Sequence, residues 1–249
     1  MPKLGKLPAR KDSVVFKLSA YLTHAVVATA PPASHIVKEY YPKTWGMLGN
    51  DQYGDCVFAG AGHETMFWND EAKSSLDFTD GSILSDYSAV TGFSPTNPDS
   101  DQGTDMQVAA SYRRKTGIVD AHGKRHMITA YLALHPGDVT QLKQAIYLFG
   151  AVGIGIEFPS TAMAQFNAGK PWTIQPKAQI EGGHYVSAVG YSKTHVYIVT
   201  WGKVQRMSWA FFKKYCDEAV AYLSEERLLN GKTVSGLNVA QLQGDLSAL

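Results

Sequence analysis

Gly49-Asn50-Asp51-Gln52-Tyr53-Gly54-Asp55-Cys56-Val57-Phe58-Ala59-Gly60 is the stretch on which the fold turns. Its first seven positions are glycines and polar residues with a single tyrosine, a composition that makes turns. From Cys56 to about Ala72 the pattern becomes helical, with Val57, Phe58, Ala61, Thr65, Phe67 and Trp68 mixing a buried face with small residues. Ala59, Gly60, Ala61 and Gly62 leave room for another element to come close. Cys56 thus stands at the N-terminal end of a helix, where the macrodipole favours a thiolate. A lone cysteine is more often a small buried hydrophobe; the glycine-rich, polar approach argues for a reactive one. Cys216, in Lys213-Lys214-Tyr215-Cys216, has no such setting and reads as structural.

A thiol nucleophile needs a base. His184 follows Glu181-Gly182-Gly183 and opens the apolar run Tyr185-Val186-Ser187-Ala188-Val189-Gly190-Tyr191, so a rigid strand can hold it at a cleft. Sixteen residues on comes Thr200, followed by Trp201-Gly202. Cysteine, then histidine, then a small hydrogen-bonding residue on the next strand supply nucleophile, base and orienter. His63 lies two helical turns from Cys56, about 10 Å by helix rise, too far to activate it. No Cys/His spacing fits a zinc site, and no metal or cofactor is expected.

The chain has 249 residues, enough for one sizeable domain or two subdomains sharing a cleft. It is 45% hydrophobic and 18% charged, so it can bury a core. A net charge of +1 gives no footprint for nucleic acid, and the basic N-terminal residues Lys3, Lys6, Arg10, Lys11 and Lys17 lack interleaved aromatics. Two cysteines argue against a disulfide framework. Val14 to Val27 is interrupted by Lys17, Ser19, Thr23 and His24, so no secretory segment is read, and no run is long enough to span a membrane. The expected location is cytoplasmic, with release by lysis or association with a virion left open.

Along the chain, residues 1–44 read as an integral arm, since Pro31-Pro32 would break the long helix an inhibitory propeptide needs. Residues 76–104 read as turn-rich. A second helix is predicted over 104–116 with Thr104 as N-cap and Gly117 as its stop. Strands are predicted at 127–134, 152–158, 184–191, 196–201 and 220–223. Further helices are predicted at 138–149, at 209–215 capped by Ser208, and at 236–249.

These residues resemble the papain-like cysteine peptidases. The family places Gln six residues and Gly two residues before its nucleophile; Asn50 and Gly54 stand there. Its histidine strand ends in Val-Gly-Tyr, as Val189-Gly190-Tyr191 does, and its Asn-Ser-Trp-Gly corresponds to Thr200-Trp201-Gly202. Gly117-Ile118 matches the end of its second helix, so the likeness covers residues 44–225. It implies an α+β fold in which a helical subdomain bearing the cysteine (45–125) packs against a β subdomain bearing the histidine (126–225). The active-site cleft would lie between them, with a C-terminal extension over 226–249. It implies a divergent, bacterial or phage-type member without the usual propeptide, acting on a peptide or protein substrate. Cys56, His184 and Thr200 would be catalytic, Asn50 and the Cys56 N–H would bind the oxyanion, and Gly54 and Trp201 would line the cleft. Asn50 is one methylene shorter than Gln, a shortfall that Gln52 or the Cys56 N–H could cover, and Thr200 offers a hydroxyl in place of an amide. The departures keep a second reading open, a catalytically degenerate papain fold serving as a binding or structural module, for example in a virion. A third keeps the Cys–His order and takes a cell-wall peptide or an acyl-transfer partner.

Overall fold

The computed structural model describes residues 2–10, 16–22, 31–224, 226, 240, 241 and 244. In chain order its elements are α1 (Leu18–Tyr21), β1 (His35–Ile36), α2 (Cys56–Glu71), α3 (Asp80–Thr91), α4 (Met106–Lys115), β2 (Ile118–Val119), β3 (Arg125–His126) and β4 (Ile128–Ala133). They continue as α5 (Val139–Phe149), β5 (Val152–Pro159), α6 (Ala162–Asn167), β6 (Ile180–Tyr191), β7 (His195–Thr200), β8 (Lys203–Ser208), α7 (Trp209–Tyr215) and β9 (Cys216–Ser224). Of the helix predicted over 236–249 only residues 240, 241 and 244 are described, and all three are helical; its other residues, like residues 11–15 and 23–30 of the arm, lie outside the described residues.

An antiparallel sheet, ordered β4-β9-β5-β6-β7-β8 with β1 also on β6, forms one half of the molecule. Helices α2, α3 and α4 form the other. Residues 56 to 69 of α2 are all buried, as expected of a helix enclosed on every side. Its small residues have a definite use. A Cβ at Gly60 would stand 2.2 Å from the Tyr185 ring, and one at Gly153 on β5 would stand 2.1 Å from the Tyr185 hydroxyl. The ring of Tyr185 therefore passes between helix and sheet, and its hydroxyl reaches Glu64 of α2.

Glu64 is the centre of a buried polar joint. Arg113 of α4 donates to its Oε2 at 2.7 Å, Ser187 of β6 donates to its Oε1 at 3.1 Å, and the Arg113 guanidinium lies 4.2 Å from the centre of the Tyr222 ring. Helical half and sheet half are thus tied by the Tyr185 and Ser187 hydroxyls, which donate from β6 to a charge pair of the helical half; its carboxylate is largely satisfied, the condition under which a buried ion pair is tolerated.

Residues 76–104, expected to be turns, contain the helix α3. Asp80-Gly81 is its first turn, and Thr79 and Ser82 form a reciprocal capping box around it. Gly92, at φ 75°, ends it. Likewise α4 is capped by Asp105, whose carboxylate accepts from the N–H groups of Gln107 and Val108, and Thr104 is left outside it. The strands at β6 and β9 begin four residues earlier than predicted.

Candidate active site

Cys56 is the first residue of α2 and is buried. Its sulfur stands against the backbone N–H of Tyr185, so the first turn of the helix abuts β6 one residue past His184. His184 is fully buried, and its Nε2 lies 2.7 Å from the Thr200 hydroxyl. Its Nδ1 has no hydrogen-bond partner.

The order on β7 and β8 follows from the turn between them. Thr200 pairs with Lys203, leaving a two-residue loop of Trp201 (φ 45°) and Gly202 (φ 69°). Two positive φ values make the type I′ turn that suits a hairpin's twist. A tryptophan in that conformation is strained, on the order of 1–3 kcal/mol for such a backbone. Its indole stacks on the His184 imidazole with centroids 4.4 Å apart and planes at 19°. Phe158 covers the imidazole at 5.6 Å. Thr200 and Trp201 together thus hold the histidine by one hydrogen bond and one ring face.

Asn50 is buried, and its Nδ2 donates to the carbonyls of Tyr53 at 3.0 Å and Lys3 at 3.3 Å. Gly54 donates its N–H to both oxygens of Asp101, at 3.0 and 3.1 Å. Asp101 also accepts from Tyr87 of α3 at 2.7 Å, and the Tyr87 hydroxyl accepts from the Gly103 N–H at 3.0 Å. The helix missed in the sequence therefore fixes one wall of the cleft.

The arm does more than wrap. Residues 3 to 7 run between the halves, and Lys6 bridges to Gly183 on one side and Thr104 on the other. Gly5 and Lys6 donate to the Gly183 carbonyl at 3.2 and 3.0 Å, Leu7 donates to the Thr104 carbonyl at 3.0 Å, and Thr104 donates to the Gly5 carbonyl at 2.7 Å. Lys3 donates its N–H to the Asn50 carbonyl at 3.1 Å. Such main-chain pairing is strand addition within one chain. Glycines make it possible: a Cβ at Gly5 would fall 1.8 Å from the Gly54 oxygen, one at Gly103 2.1 Å from the Gly5 oxygen, and one at Gly183 2.1 Å from the Lys6 oxygen. Gly5 and its partners on three distant segments carried the signal for this strap, but no local pattern joins them.

Burial pushes the Cys56 thiol up to about 12, with Asp55 adding to the rise, against the partial relief of the Tyr185 and Gly5 N–H groups and of the Lys6 charge. Burial also pushes His184 down to about 3. In this conformation thiol and imidazole are both neutral at neutral pH, where the helix N-terminus alone led us to expect a thiolate. The cause is lost water, which penalises either charged form. Asp55, buried before Cys56, is raised well above the usual carboxylate range, also by burial. Both cysteines are free. Among the described residues no helix is long and apolar enough to cross a membrane.

No protein-family model matches the chain, and no curated protein matches it. Solved structures do. Xylellain, a cysteine protease from Xylella fastidiosa, superposes with a TM-score of 0.69 at 16% identity, over 89% of this chain and 96% of that one. Procathepsin B S9 from Trypanosoma congolense gives 0.66 at 13%, over 90% and 86%. Digestive procathepsin L 3 of Tenebrio molitor larval midgut gives 0.60 at 17%, over 84% and 75%. The chain has the α+β fold of the papain-like cysteine peptidases, helical half against sheet half.

Proposed function

We propose that this chain is a cysteine-dependent hydrolase of peptide or amide bonds whose cleft is closed, in the conformation described, by its own residues 3–7. The observation that carries the reading is the His184 imidazole. One nitrogen is held by Thr200 and the other is left without a partner, on a residue adjacent to the backbone that Cys56 touches. With a substrate in place of the strap, that nitrogen takes the thiol proton and the Cys56 thiolate attacks the carbonyl carbon. His184 then returns the proton to the leaving amine, and water releases the acyl group from sulfur. The Cys56 N–H, an orphan of the first helical turn, and the Asn50 amide would steady the oxyanion. Asn50 already donates to a main-chain carbonyl in the cleft, that of Lys3, which supports this role.

The strap is held as an occupant and not as a substrate. Its Gly5 carbonyl accepts from Thr104 on the helical half, so it is turned to the cleft wall. A second reading, a papain fold kept only for binding or structure, draws on the same buried and neutral pair. Activity separates the two. Wild type and Gly5→Val, whose added side chain must lift the strap from Gly54, are assayed on a fluorescein-labelled denatured protein, each with and without Cys56→Ala. Hydrolysis that rises in Gly5→Val and vanishes with Cys56→Ala is expected. No hydrolysis from a folded Gly5→Val protein whose Cys56 reacts with iodoacetamide would leave the non-enzymatic reading.

A further inference from the structure

We propose that Asp55 is a positioning residue for Asn50, the proposed oxyanion donor: while it holds a proton it leaves both Asn50 amide hydrogens free for other acceptors, and on losing that proton it draws one of them back from the cleft. The proposal rests on the peptide-hydrolase reading and adds to it a control on the oxyanion site.

Asp55 is the N-cap residue of α2, where an aspartate ordinarily accepts from an N–H of the first helical turn. Its side chain makes no such bond here. Only its main-chain carbonyl serves the helix, accepting from Phe58 at 2.8 Å and Ala59 at 3.0 Å. The carboxyl is turned instead into the loop that leads to the nucleophile. A Cβ at Gly49 would stand 2.8 Å from its Oδ2 and 3.2 Å from Leu84 of α3, so the acid lies on bare backbone close to an apolar side chain. Asp55 is fully buried, and neither carboxyl oxygen has a hydrogen-bond partner. A carboxylate left so is costly enough that the group takes up a proton instead. Burial favours the neutral form, Asn50 and the Asp55 N–H relieve it in part, and the charges of Asp101 and Asp80 add to it. The Lys3 ammonium on the strap pairs with Asp101 at 3.3 Å and not with Asp55.

Asn50 is the polar side chain that the acid adjoins. Its amide donates to the Tyr53 carbonyl at 3.0 Å and to the Lys3 carbonyl at 3.3 Å. The first bond closes the loop. The second, the longer, is the one that an oxyanion in place of the strap would take over. A neutral acid is a poor rival for that hydrogen. A carboxylate is a strong one, because an ionised acceptor roughly doubles the strength of a hydrogen bond. Ionised Asp55 therefore turns the amide from the cleft while nucleophile and base stay in place. Its charge also works against the Cys56 thiolate, and the test has to separate the two effects.

The test begins on the full chain carrying carboxyl-labelled aspartate and amide-labelled asparagine, observed by NMR from pH 5 to pH 9 and assigned with Asp55→Asn and Asn50→Ala. The Asp55 carboxyl is expected to be protonated at pH 6 and to ionise below pH 9, and the Asn50 amide signals to move with the same midpoint. The cleft is then read in the Gly5→Val chain with the aldehyde acetyl-Leu-Gly-norleucinal. The Cys56 thiol adds across it, sulfur to carbon and proton to oxygen, which sets that oxygen at the Asn50 amide. Affinity is expected to fall at least tenfold from pH 6 to pH 9. The fall is expected to be less than threefold with Asp55→Asn, or with Asp55→Ser, which keeps a capping residue should the first variant fail to fold. In Asn50→Ala the same replacements are expected to change the ratio less than twofold, which an effect on the thiol alone would not allow. An Asp55 carboxyl ionised at pH 6 or still protonated at pH 9 overturns the proposal. So do Asn50 signals that stay still while Asp55 titrates, or a pH ratio that Asp55→Asn changes equally with and without Asn50. Failure of the hydrolase reading looks different: Asn50 follows Asp55, yet the aldehyde does not bind Cys56 at any pH and no protein is cut.

Discussion

Two buried ion pairs of this molecule are built for opposite purposes. Glu64 and Arg113 meet at 2.7 Å, with side chains 0% and 3% exposed, and Tyr185, Ser187 and Tyr222 close around them. Lys6 and Asp217 meet at the same distance, but the acid is 21% exposed and keeps one oxygen without a partner. The first pair links two helices fixed in one core and takes hydrogen bonds from the sheet. The second links the core to a strap of five residues held mainly by main-chain hydrogen bonds. Equal bond lengths therefore say little about permanence. What differs is how completely the carboxylate is satisfied, and how much else must move when the pair parts.

That contrast breaks most easily at the first pair. Arg113→Met should destabilise the fold by about 3–5 kcal/mol, the usual cost of leaving a buried charge alone. Urea unfolding would measure it. Lys6→Met should cost less than about 1 kcal/mol by the same measurement, since water can reach Asp217 once the strap lifts. Comparable losses in the two variants would mean that the strap is as integral as the joint.

A smaller effect should appear with pH at a third buried group. His126 contacts Glu226 at 2.7 Å and Asp120 at 3.0 Å. Burial pushes its imidazolium down, but the two carboxylates more than offset this, and its pKa is raised. A raised folded pKa stabilises fully below the unfolded value of about 6.5, and that stability is lost as pH rises through the folded value. The urea midpoint should fall between pH 6 and pH 9 in the wild type, and His126→Gln should flatten that slope. An unchanged slope would show that His126 titrates alike in folded and unfolded chains.

A last effect concerns the imidazole clamp. Thr200→Val removes the hydrogen bond at Nε2 and leaves the Trp201 stack, so turnover should fall by a modest factor, on the order of tens. Thr200→Asn should retain or raise it. Steady-state kinetics in the strap-lifted Gly5→Val background would decide, and a silent Thr200→Val would assign the positioning of His184 to Trp201 and Phe158 alone.

Much of this was legible in the sequence where local chemistry and position agree. The turn before Cys56, the Ser208 cap and the apolar run after His184 each mark one element by nearby residues. Thr200 was found through spacing, and the type I′ turn at Trp201-Gly202 explains why that spacing lands on the histidine. The helix at Asp80–Thr91 was hidden because Asp80-Gly81 has the composition of a turn, while its capping box uses serine in place of the usual acid. Lys6 was unreadable for another reason. A lysine among other N-terminal cations is ordinarily a solvated charge, and its partner Asp217 lies 211 residues away on a bulge that no alternation predicts. Arg113 and Glu64 were similarly silent, the one in the last turn of its helix among other cations and the other mid-helix, each with its partner on another element.

The strap described across the cleft also sets a threshold. A segment tethered in the same chain competes at an effective concentration of roughly millimolar order, whatever the protein's own concentration. A free peptide sees only the fraction of molecules whose cleft is momentarily vacant, and its apparent affinity is divided accordingly. Dilution does not loosen such a competitor, and crowding by copies of the chain does not tighten it. On the hydrolase reading proposed above, the response to a peptide would therefore be graded by that peptide's abundance and fit, with weak or scarce ones filtered out by residues 3–7.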